Sequence, residues 1–162
     1  DLNFKIGGLL KYKLGVGGFF NSKKVFIQDF QHFNGNLTVA AGEYVNSFQL
    51  VSYYAFSTTT NFYATAHLEH HFNGLITNKI PLLRQMNWHL VGGTNTFFVN
   101  SDHYHVELFA GIENILKIFR VDFVAGFDRP HNTRTAIRIG FGGLIGGNMS
   151  INKKTNTVSL SF

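Results

Sequence analysis

Apolar and polar side chains alternate with a period of two along residues 61–74, which have the sequence NFYATAHLEHHFNG. The even-numbered positions are apolar except at His70, and the odd-numbered positions carry polar side chains or tyrosine. Successive side chains of a β-strand point to opposite faces, whereas a helix repeats every 3.6 residues. This stretch is therefore predicted to be a strand with an apolar medium on one side and a polar medium on the other.

The same alternation recurs along most of the chain, and runs rich in Gly, Asn or Pro separate the alternating segments. It predicts no helix. The phase slips between residues 111 and 116, which predicts a hairpin at 111–114 or, as an alternative, a bulge. The predicted strands number nine and cover residues 2–20, 25–33, 48–56, 61–74, 88–99, 103–110, 119–127, 134–145 and 158–162.

Composition restricts the class of protein. A chain of 162 residues with 44% hydrophobic and 15% aromatic residues is predicted to form one folded unit over 1–162 rather than a disordered segment. The absence of Cys excludes disulfides and thiolate metal sites. The net charge of +5 is not gathered into a basic run, so no nucleic-acid partner is expected, and no cofactor motif is present.

Alternation alone does not say which face is the inside. The polar faces carry charges of both signs that can pair across a wet lumen, and many aromatic residues fall near the predicted strand ends, as in the girdles of membrane barrels. The chain also ends on the alternating Val158, Leu160 and Phe162, which resembles the assembly signal of outer-membrane barrels. We therefore predict an all-β, antiparallel transmembrane β-barrel in a bacterial outer membrane. A soluble β-sandwich or lipid-carrier barrel is the alternative.

The predicted barrel is incomplete. If Phe162 lies at the periplasm, the turns 21–24, 57–60, 100–102 and 128–132 fall on that side, and the longer connections 34–46 and 73–85 fall outside. Bacterial single-chain barrels have an even number of strands. A count of nine therefore predicts at least one upstream strand, so that this chain is the C-terminal part of a larger barrel.

Five segments of the chain are distinctive in sequence and in order. They are FIQDFQHFNGN (26–36), FQLVSYYAFST (48–58), HLEHHFNGLITNKIPLLR (67–84), GIENILKIFRVDF (111–123) and IRIGFGG (137–143). Together they resemble the C-terminal region of an uncharacterised outer-membrane family of Bacteroidota, whose members are often labelled carboxypeptidase-like regulatory domain-containing proteins. The resemblance implies a longer protein with an N-terminal regulatory-like β-sandwich and further barrel strands, and it implies no peptidase activity and no catalytic residues.

Histidines and carboxylates share one face of two predicted strands. One set is His67, Glu69 and His71, and the other is His103, His105 and Glu107. Imidazole and carboxylate together can bind zinc or another divalent ion. The alternative is that they are hydrated lumen residues that pair with Lys and Arg. A hairpin near Ser101 places His105 opposite Phe97 and Glu107 opposite Asn95, far from His71, which is expected beside Trp88.

Further charges on the predicted polar faces are interpreted as a lumen charge network, with a porin-like anion preference as the alternative. They are Arg120, Asp122, Arg134 and Arg138.

The sequence leaves two main classes of function open, and the protein is not expected to be an enzyme. The first is a non-enzymatic barrel that scaffolds, anchors or helps to assemble an outer-membrane complex. Its expected partners are outer-membrane lipid, lipopolysaccharide and other outer-membrane proteins. The second is a porin-like conduit or solute transporter. A hydrolase that uses a metal held by the histidine strands is a third hypothesis and requires bound metal.

Overall fold

Seven strands form one antiparallel sheet in which each strand pairs with its neighbours in sequence. Two further strands pair with each other as a separate two-stranded sheet. The computed structural model describes residues 1–4, 7–20, 25–60, 62–100, 103–128, 132–141, 149–152 and 157–160. The strands are β1 Leu2–Phe4, β2 Gly8–Gly17, β3 Tyr63–His71, β4 His89–Asn100, β5 His103–Ile115, β6 Phe119–Asp128, β7 Asn132–Phe141, β8 Met149–Asn152 and β9 Thr157–Leu160.

The strands predicted from the clearest alternation are confirmed. The predicted strand 61–74 is β3, and 88–99 is β4 with bounds shifted by one residue. In the β4–β5 hairpin His105 lies opposite Phe97 and Glu107 opposite Asn95, which is the predicted register. His71 lies opposite Val91, so its expected place beside Trp88 was wrong.

Two boundaries differ from the sequence prediction. The segment 2–20 is two strands, because Gly8 adopts a φ of 97° and allows β1 to pair back onto β2. The strand β5 continues through 111–114 and ends at Ile115, so the predicted hairpin was wrong. Its register with β6 shifts between Ile112 and Ile115, which agrees with the alternative prediction of a bulge. The chain turns instead at Leu116 and Lys117, both of which have positive φ.

The segments 25–33 and 48–56 are not strands, which corrects the sequence prediction. Both belong to the segment that joins β2 to β3, called here the long connection, whose described residues are 18–20, 25–60 and 62. The described part of the long connection folds across one face of the sheet. Its only ladder-type pairs among the described residues are two isolated bridges, Gln31 with Thr58 and Ala40 with Ile139. Phe33, Phe48 and Val51 are buried against the sheet without a partner strand, whereas Phe26 and Tyr54 are exposed. This arrangement depends on long-range packing, which a local pattern does not encode. Residues 34–46 are therefore not a separate external loop.

The prediction that no helix forms was also wrong. A short helix, α1, spans Pro81–Met86, and 3₁₀ turns occupy Ile27–Asp29 and Thr77–Lys79. Pro81 suits the first helical position because its missing N–H would have no partner there. The helix ends at Asn87, whose left-handed conformation directs its N–H to the carbonyl of Arg84. No helix in the described part of the chain is long and apolar enough to cross a membrane.

The inner face of the sheet is the one that the long connection covers. Phe33, from this connection, stacks on Phe97 of β4 with ring centroids 4.2 Å apart and an interplanar angle of 6°. Phe48 meets the same Phe97 edge to face at 5.3 Å. A second cluster joins Tyr44 to Phe109, with ring centroids 4.1 Å apart. The hydrophobic core therefore lies between the sheet and the long connection.

The outer face of the sheet is apolar and exposed. Leu108, Phe123 and Ile137 lie on neighbouring strands and are 52%, 55% and 61% exposed. The register joins them into a continuous surface, since Phe123 lies opposite Ile137. Other exposed apolar side chains of this face are Tyr12, Leu14, Val16, Leu68, Phe98, Val121, Phe127, Ile139 and Phe141.

The sheet is not closed into a barrel. β1 forms one edge and β7 the other. At the β7 edge, the N–H of Ile139 donates to the carbonyl of Val39, and the N–H of Ala41 donates to the carbonyl of Ile139 at 2.7 Å. The long connection therefore crosses the inner face and occupies part of the β7 edge.

Candidate functional site

Two clusters of charged and polar side chains are buried between the inner face and the long connection. The strand period of two and the antiparallel register bring them together from residues far apart in sequence. The Glu107 cluster consists of His67, Asn95, His105, Glu107, Asp128 and Arg134. The Arg120 cluster consists of Glu69, His71, Glu113, Arg120 and Asp122.

The Glu107 carboxylate binds the backbone of the long connection. It is completely buried on β5 and accepts the N–H of Gln49 at 2.8 Å and the N–H of Leu50 at 2.7 Å. These N–H groups have no neighbouring strand to bind, so the Glu107 carboxylate replaces the backbone carbonyls that would accept their hydrogen bonds in a sheet. Hydrogen bonds from N–H groups to a carboxylate are charge-assisted and stronger than neutral ones. Glu107 therefore fixes the long connection at its most buried point.

The Glu107 carboxylate is itself held by a chain of charged groups. His105 Nε2 lies 2.9 Å from Glu107 Oε1, and His105 Nδ1 contacts Asp128. Asp128 in turn pairs with Arg134, whose side chain is 41% exposed. The series thus connects a fully buried carboxylate to a guanidinium that reaches water. A buried imidazole between two carboxylates is held in one orientation by both ring nitrogens.

Arg138 lies beside the Glu107 cluster and is counted with it, and His67 and Asn95 form its other end. The guanidinium of Arg138 donates to the carbonyl of Gln49 at 3.1 Å from Nε and 2.5 Å from Nη2. Both the N–H and the C=O of Gln49 are therefore bound by side chains of the sheet. His67 Nδ1 lies 3.0 Å from the side-chain amide of Asn95, and the surrounding atoms favour the amide orientation in which its nitrogen donates to His67.

The Arg120 cluster is an ion-pair network across the inner face. Arg120 Nε donates to both oxygens of Asp122, at 2.9 and 2.8 Å, and its Nη1 donates to Glu69. The guanidinium carbon lies 4.4 Å from the centre of the Tyr44 ring. Arg120 thus joins β6 to β3 and packs against the long connection, with its charge offset by two carboxylates.

The network extends from Glu69 towards one end of the sheet. His71 Nε2 lies 3.6 Å from Glu69, and His71 Nδ1 lies 2.9 Å from Glu113. Burial raises the pKa of the Tyr44 hydroxyl above its ordinary value of 10.0, so this hydroxyl stays neutral. The cluster borders an open cavity of about 800 Å³ at this end. The cavity is also lined by Lys11, Glu43, His89, Asn114 and Phe141.

The candidate metal ligands are not gathered into one site. His67 contacts Asn95, Glu69 pairs with Arg120, and His103 is exposed beside Asn100. His71 and His105 have carboxylate partners, but each belongs to a different cluster. Within the described ranges, no group of three or more His, Asp or Glu side chains has a metal-binding arrangement. The geometry brings the predicted residues into ion pairs and hydrogen bonds.

The predicted charge network divides between the two clusters. Arg120 pairs with Asp122 in one, whereas Arg134 and Arg138 belong to the other and share no partner. Val158 and Leu160 lie in β9, which pairs with β8, and Phe162 lies outside the described residues. Their predicted role as an assembly signal therefore stays a prediction.

Several important residues were not singled out from the sequence. Gln49 and Leu50 contribute through backbone amides, for which the sequence carries no signal. Asp128 was placed in a turn, although it is the last residue of β6 and its side chain reaches His105. Glu113 lies in the stretch where the alternation slips, so its face was not predictable from parity.

Comparison with known proteins identifies a family without a described function. A family model described as "Family of unknown function (DUF5686) C-terminal domain" matches residues 1–112, from β1 into β5. No curated protein and no solved structure matches the chain. The family description gives no activity, so the Bacteroidota source and the carboxypeptidase-like label of the resemblance stay predictions.

Proposed function

We propose that this chain, which belongs to the DUF5686 C-terminal domain family, is a segment of a bacterial outer-membrane β-barrel with a non-enzymatic scaffolding, anchoring or assembly role. The observation that carries the proposal is the distribution of polarity between the two faces of the sheet. The outer face is apolar and exposed, and the inner face carries buried charges. The partners we propose are outer-membrane lipid, lipopolysaccharide and other outer-membrane proteins.

The outer face supports contact with lipid. A soluble antiparallel sheet buries its apolar face and presents its polar face to water. Here the arrangement is reversed: Leu108 and Phe123 are exposed, whereas Glu107 and Asp122 on the opposite face are completely buried. Membrane barrels have this alternation of apolar outside and polar inside. Strands of 10 residues (β2), 12 residues (β4) and 13 residues (β5) are also long enough to span a bilayer.

The filled inner face supports a scaffold rather than a conduit. The long connection packs its aromatic residues against Phe97 and Phe109, and its backbone is bound by Glu107 and Arg138. An open porin lumen would instead present its charged side chains to water. The open cavity at one end of the sheet is the observation that keeps the conduit as the second candidate.

The open edges of the sheet support a larger barrel. An unpaired strand edge cannot face hydrocarbon, because its N–H and C=O groups would have no partner. β1 and β7 are the edges of the seven-stranded sheet, and among the described residues of β7 the long connection pairs only with Ile139. We propose that additional strands complete the barrel, in keeping with the sequence-based prediction of an upstream strand.

Single-cysteine labelling tests the membrane placement, since the chain has no Cys of its own. Phe123→Cys and Leu108→Cys place a fluorophore on the outer face, and Gln28→Cys places it at an exposed polar position of the long connection. In bilayer-reconstituted full-length protein, brominated lipids are expected to quench the first two labels and to leave the third unchanged. Labels at Phe123 and Leu108 that both escape quenching would refute the barrel.

Conductance distinguishes the two functions. In planar bilayers, the native protein is expected to show no steady conductance if the long connection fills the lumen. Heat-dependent gel mobility of the same preparation provides the check that the barrel is folded. A stable conductance from folded protein would favour the conduit and contradict the scaffold.

A further inference from the structure

The connection between β3 and β4, residues 72–88, exposes apolar side chains to a degree that is unusual for a loop. It contains α1 and the second 3₁₀ turn. Leu82 is 65% exposed, although a polar residue at this position would be expected in water. A contiguous stretch of such residues marks an interaction surface. The exposed apolar residues are Leu75, Ile76, Ile80, Leu82 and Met86.

The charges of the same connection have one sign. It contains Lys79 and Arg84 and no Asp or Glu. Neither cation takes part in any of the ion pairs found among the described residues. Both line an open cavity of about 460 Å³ together with Asn78 and Gln85, whose amides can donate hydrogen bonds. Two cations and two amides around one cavity match the chemistry of a phosphate group.

We propose that the β3–β4 connection is a docking surface for an anionic lipid leaflet. In this arrangement Lys79 and Arg84 hold the phosphate of a lipid headgroup, and exposed residues such as Leu82 enter the acyl region. The inference rests on the proposed membrane placement of the sheet and adds a specific lipid contact to it. Lys and Arg near an anionic surface each contribute to such binding, and apolar residues add buried area.

Continuity with the outer face favours lipid over a free anion. Phe72 and Trp88 flank the connection and have the parity of the outer-face residues of β3 and β4. The N–H of Phe72 donates to the carbonyl of Leu90 at 2.9 Å, so the ladder continues to the start of the connection. Aromatic residues at strand ends are typical of the membrane interface. A free phosphate would use the cations but would leave the apolar side chains in water.

Three single-cysteine labels on the full-length protein test the inference: Leu82→Cys in the connection, Phe123→Cys on the outer face, and Tyr53→Cys as an exposed control on the long connection. The protein is reconstituted in phosphatidylcholine vesicles with or without phosphatidylglycerol. With phosphatidylglycerol, brominated lipid is expected to quench the labels at Leu82 and Phe123, but not the label at Tyr53. Replacing both Lys79 and Arg84 by Gln is expected to lower the equilibrium constant for docking of the connection onto the lipid surface roughly thirty-fold.

A matched variant, Lys117→Gln, removes an exposed cation from the β5–β6 turn at the same end of the sheet. It is expected to leave the quenching at Leu82 nearly unchanged. Equal loss from this variant would overturn a specific role for Lys79 and Arg84. If inorganic phosphate at constant ionic strength abolishes the quenching of the label at Leu82 by brominated lipid, the site binds a free anion and lipid docking is overturned.

The remaining outcomes separate this inference from the proposed function. If the Phe123 label is quenched and the Leu82 label stays in water, the docking surface is wrong and the barrel stands. If neither is quenched, the barrel itself is wrong, and the inference fails with it. A Leu82 label that is shielded from water but not quenched by brominated lipid would indicate a protein partner and would contradict lipid docking.

Discussion

Replacing Glu107 by Ala is expected to release the long connection from the sheet. The carboxylate is completely buried and accepts the backbone N–H groups of Gln49 and Leu50 at 2.8 and 2.7 Å. Its removal leaves both amides without an acceptor in a site where water has no access. His105 also loses its contact at Nε2 but keeps Asp128 at Nδ1.

The free-energy cost of Glu107→Ala follows from the two backbone N–H groups that lose their acceptor. A buried donor left without an acceptor costs about 1–3 kcal/mol, so two such donors cost about 4 kcal/mol. This value agrees with the cost of about 3–5 kcal/mol for removing one partner of a buried charged pair. Glu107→Gln keeps one acceptor oxygen and can satisfy one amide, so its expected cost is about 2 kcal/mol.

Hydrogen exchange of the amides of Gln49 and Leu50 measures this effect directly. A loss of about 4 kcal/mol predicts exchange accelerated up to roughly 700-fold in Glu107→Ala, and roughly 30-fold in Glu107→Gln. The matched control is Glu43→Gln, which removes an exposed carboxylate of the same connection whose partner is Asn46. Unchanged protection of both amides in Glu107→Ala would refute the conclusion that this carboxylate fixes the long connection.

Three further substitutions test the packing of the sheet by unfolding in detergent. Arg120→Met leaves two buried carboxylates without their cation and is expected to cost about 3–5 kcal/mol; a loss below about 1 kcal/mol would contradict the ion-pair network. Gly93→Ala places a Cβ 2.0 Å from the carbonyl oxygen of Leu68 and is expected to disrupt β4. The matched variant Gly92→Ala, whose Cβ would lie 3.3 Å from the carbonyl oxygen of Phe109, is expected to cost much less. Lys117 has a φ of 70°, a left-handed conformation that is unfavourable for a residue with a Cβ. Lys117→Gly removes the Cβ and is expected to stabilise the protein by up to about 1 kcal/mol. Destabilisation would mean that the left-handed backbone at Lys117 carries no strain for glycine to relieve.

The sequence predicted the sheet well where each strand has regular neighbours on both sides. β3 alternates almost without exception and pairs with β2 and β4, so its parity determined which side chains share a face. The turn predicted at 100–102 then gave the register that brings Glu107 opposite Asn95, and this register is observed between β4 and β5. Local alternation and a tight turn are short-range properties, and both are visible in one sequence.

The long connection was not predictable by the same reasoning. Phe48 and Leu50 share one parity as the apolar residues of a strand do, yet they pack against the sheet without a partner strand. What distinguishes them is the carboxylate of Glu107, which lies far away in sequence and replaces the ladder acceptor of a neighbouring strand. Part of the site was predictable, because Arg120–Asp122 and His105–Glu107 are each two residues apart on one strand. The pairs between strands, such as Arg120–Glu69, depend on the sheet register as well.

The β7 edge relates the long connection to the closure of a barrel. Ile139 uses both its N–H and its C=O to pair with residues 39–41, so these groups are not available to another strand. A strand that completed the ladder along β7 would have to displace residues 39–41, which lie only a short distance in sequence before Gln49. Closure at this edge and the position of the long connection are therefore coupled. Glu107 and Arg138 bind Gln49 from β5 and β7, so the sheet itself holds the long connection, part of which a strand added at the β7 edge would have to displace.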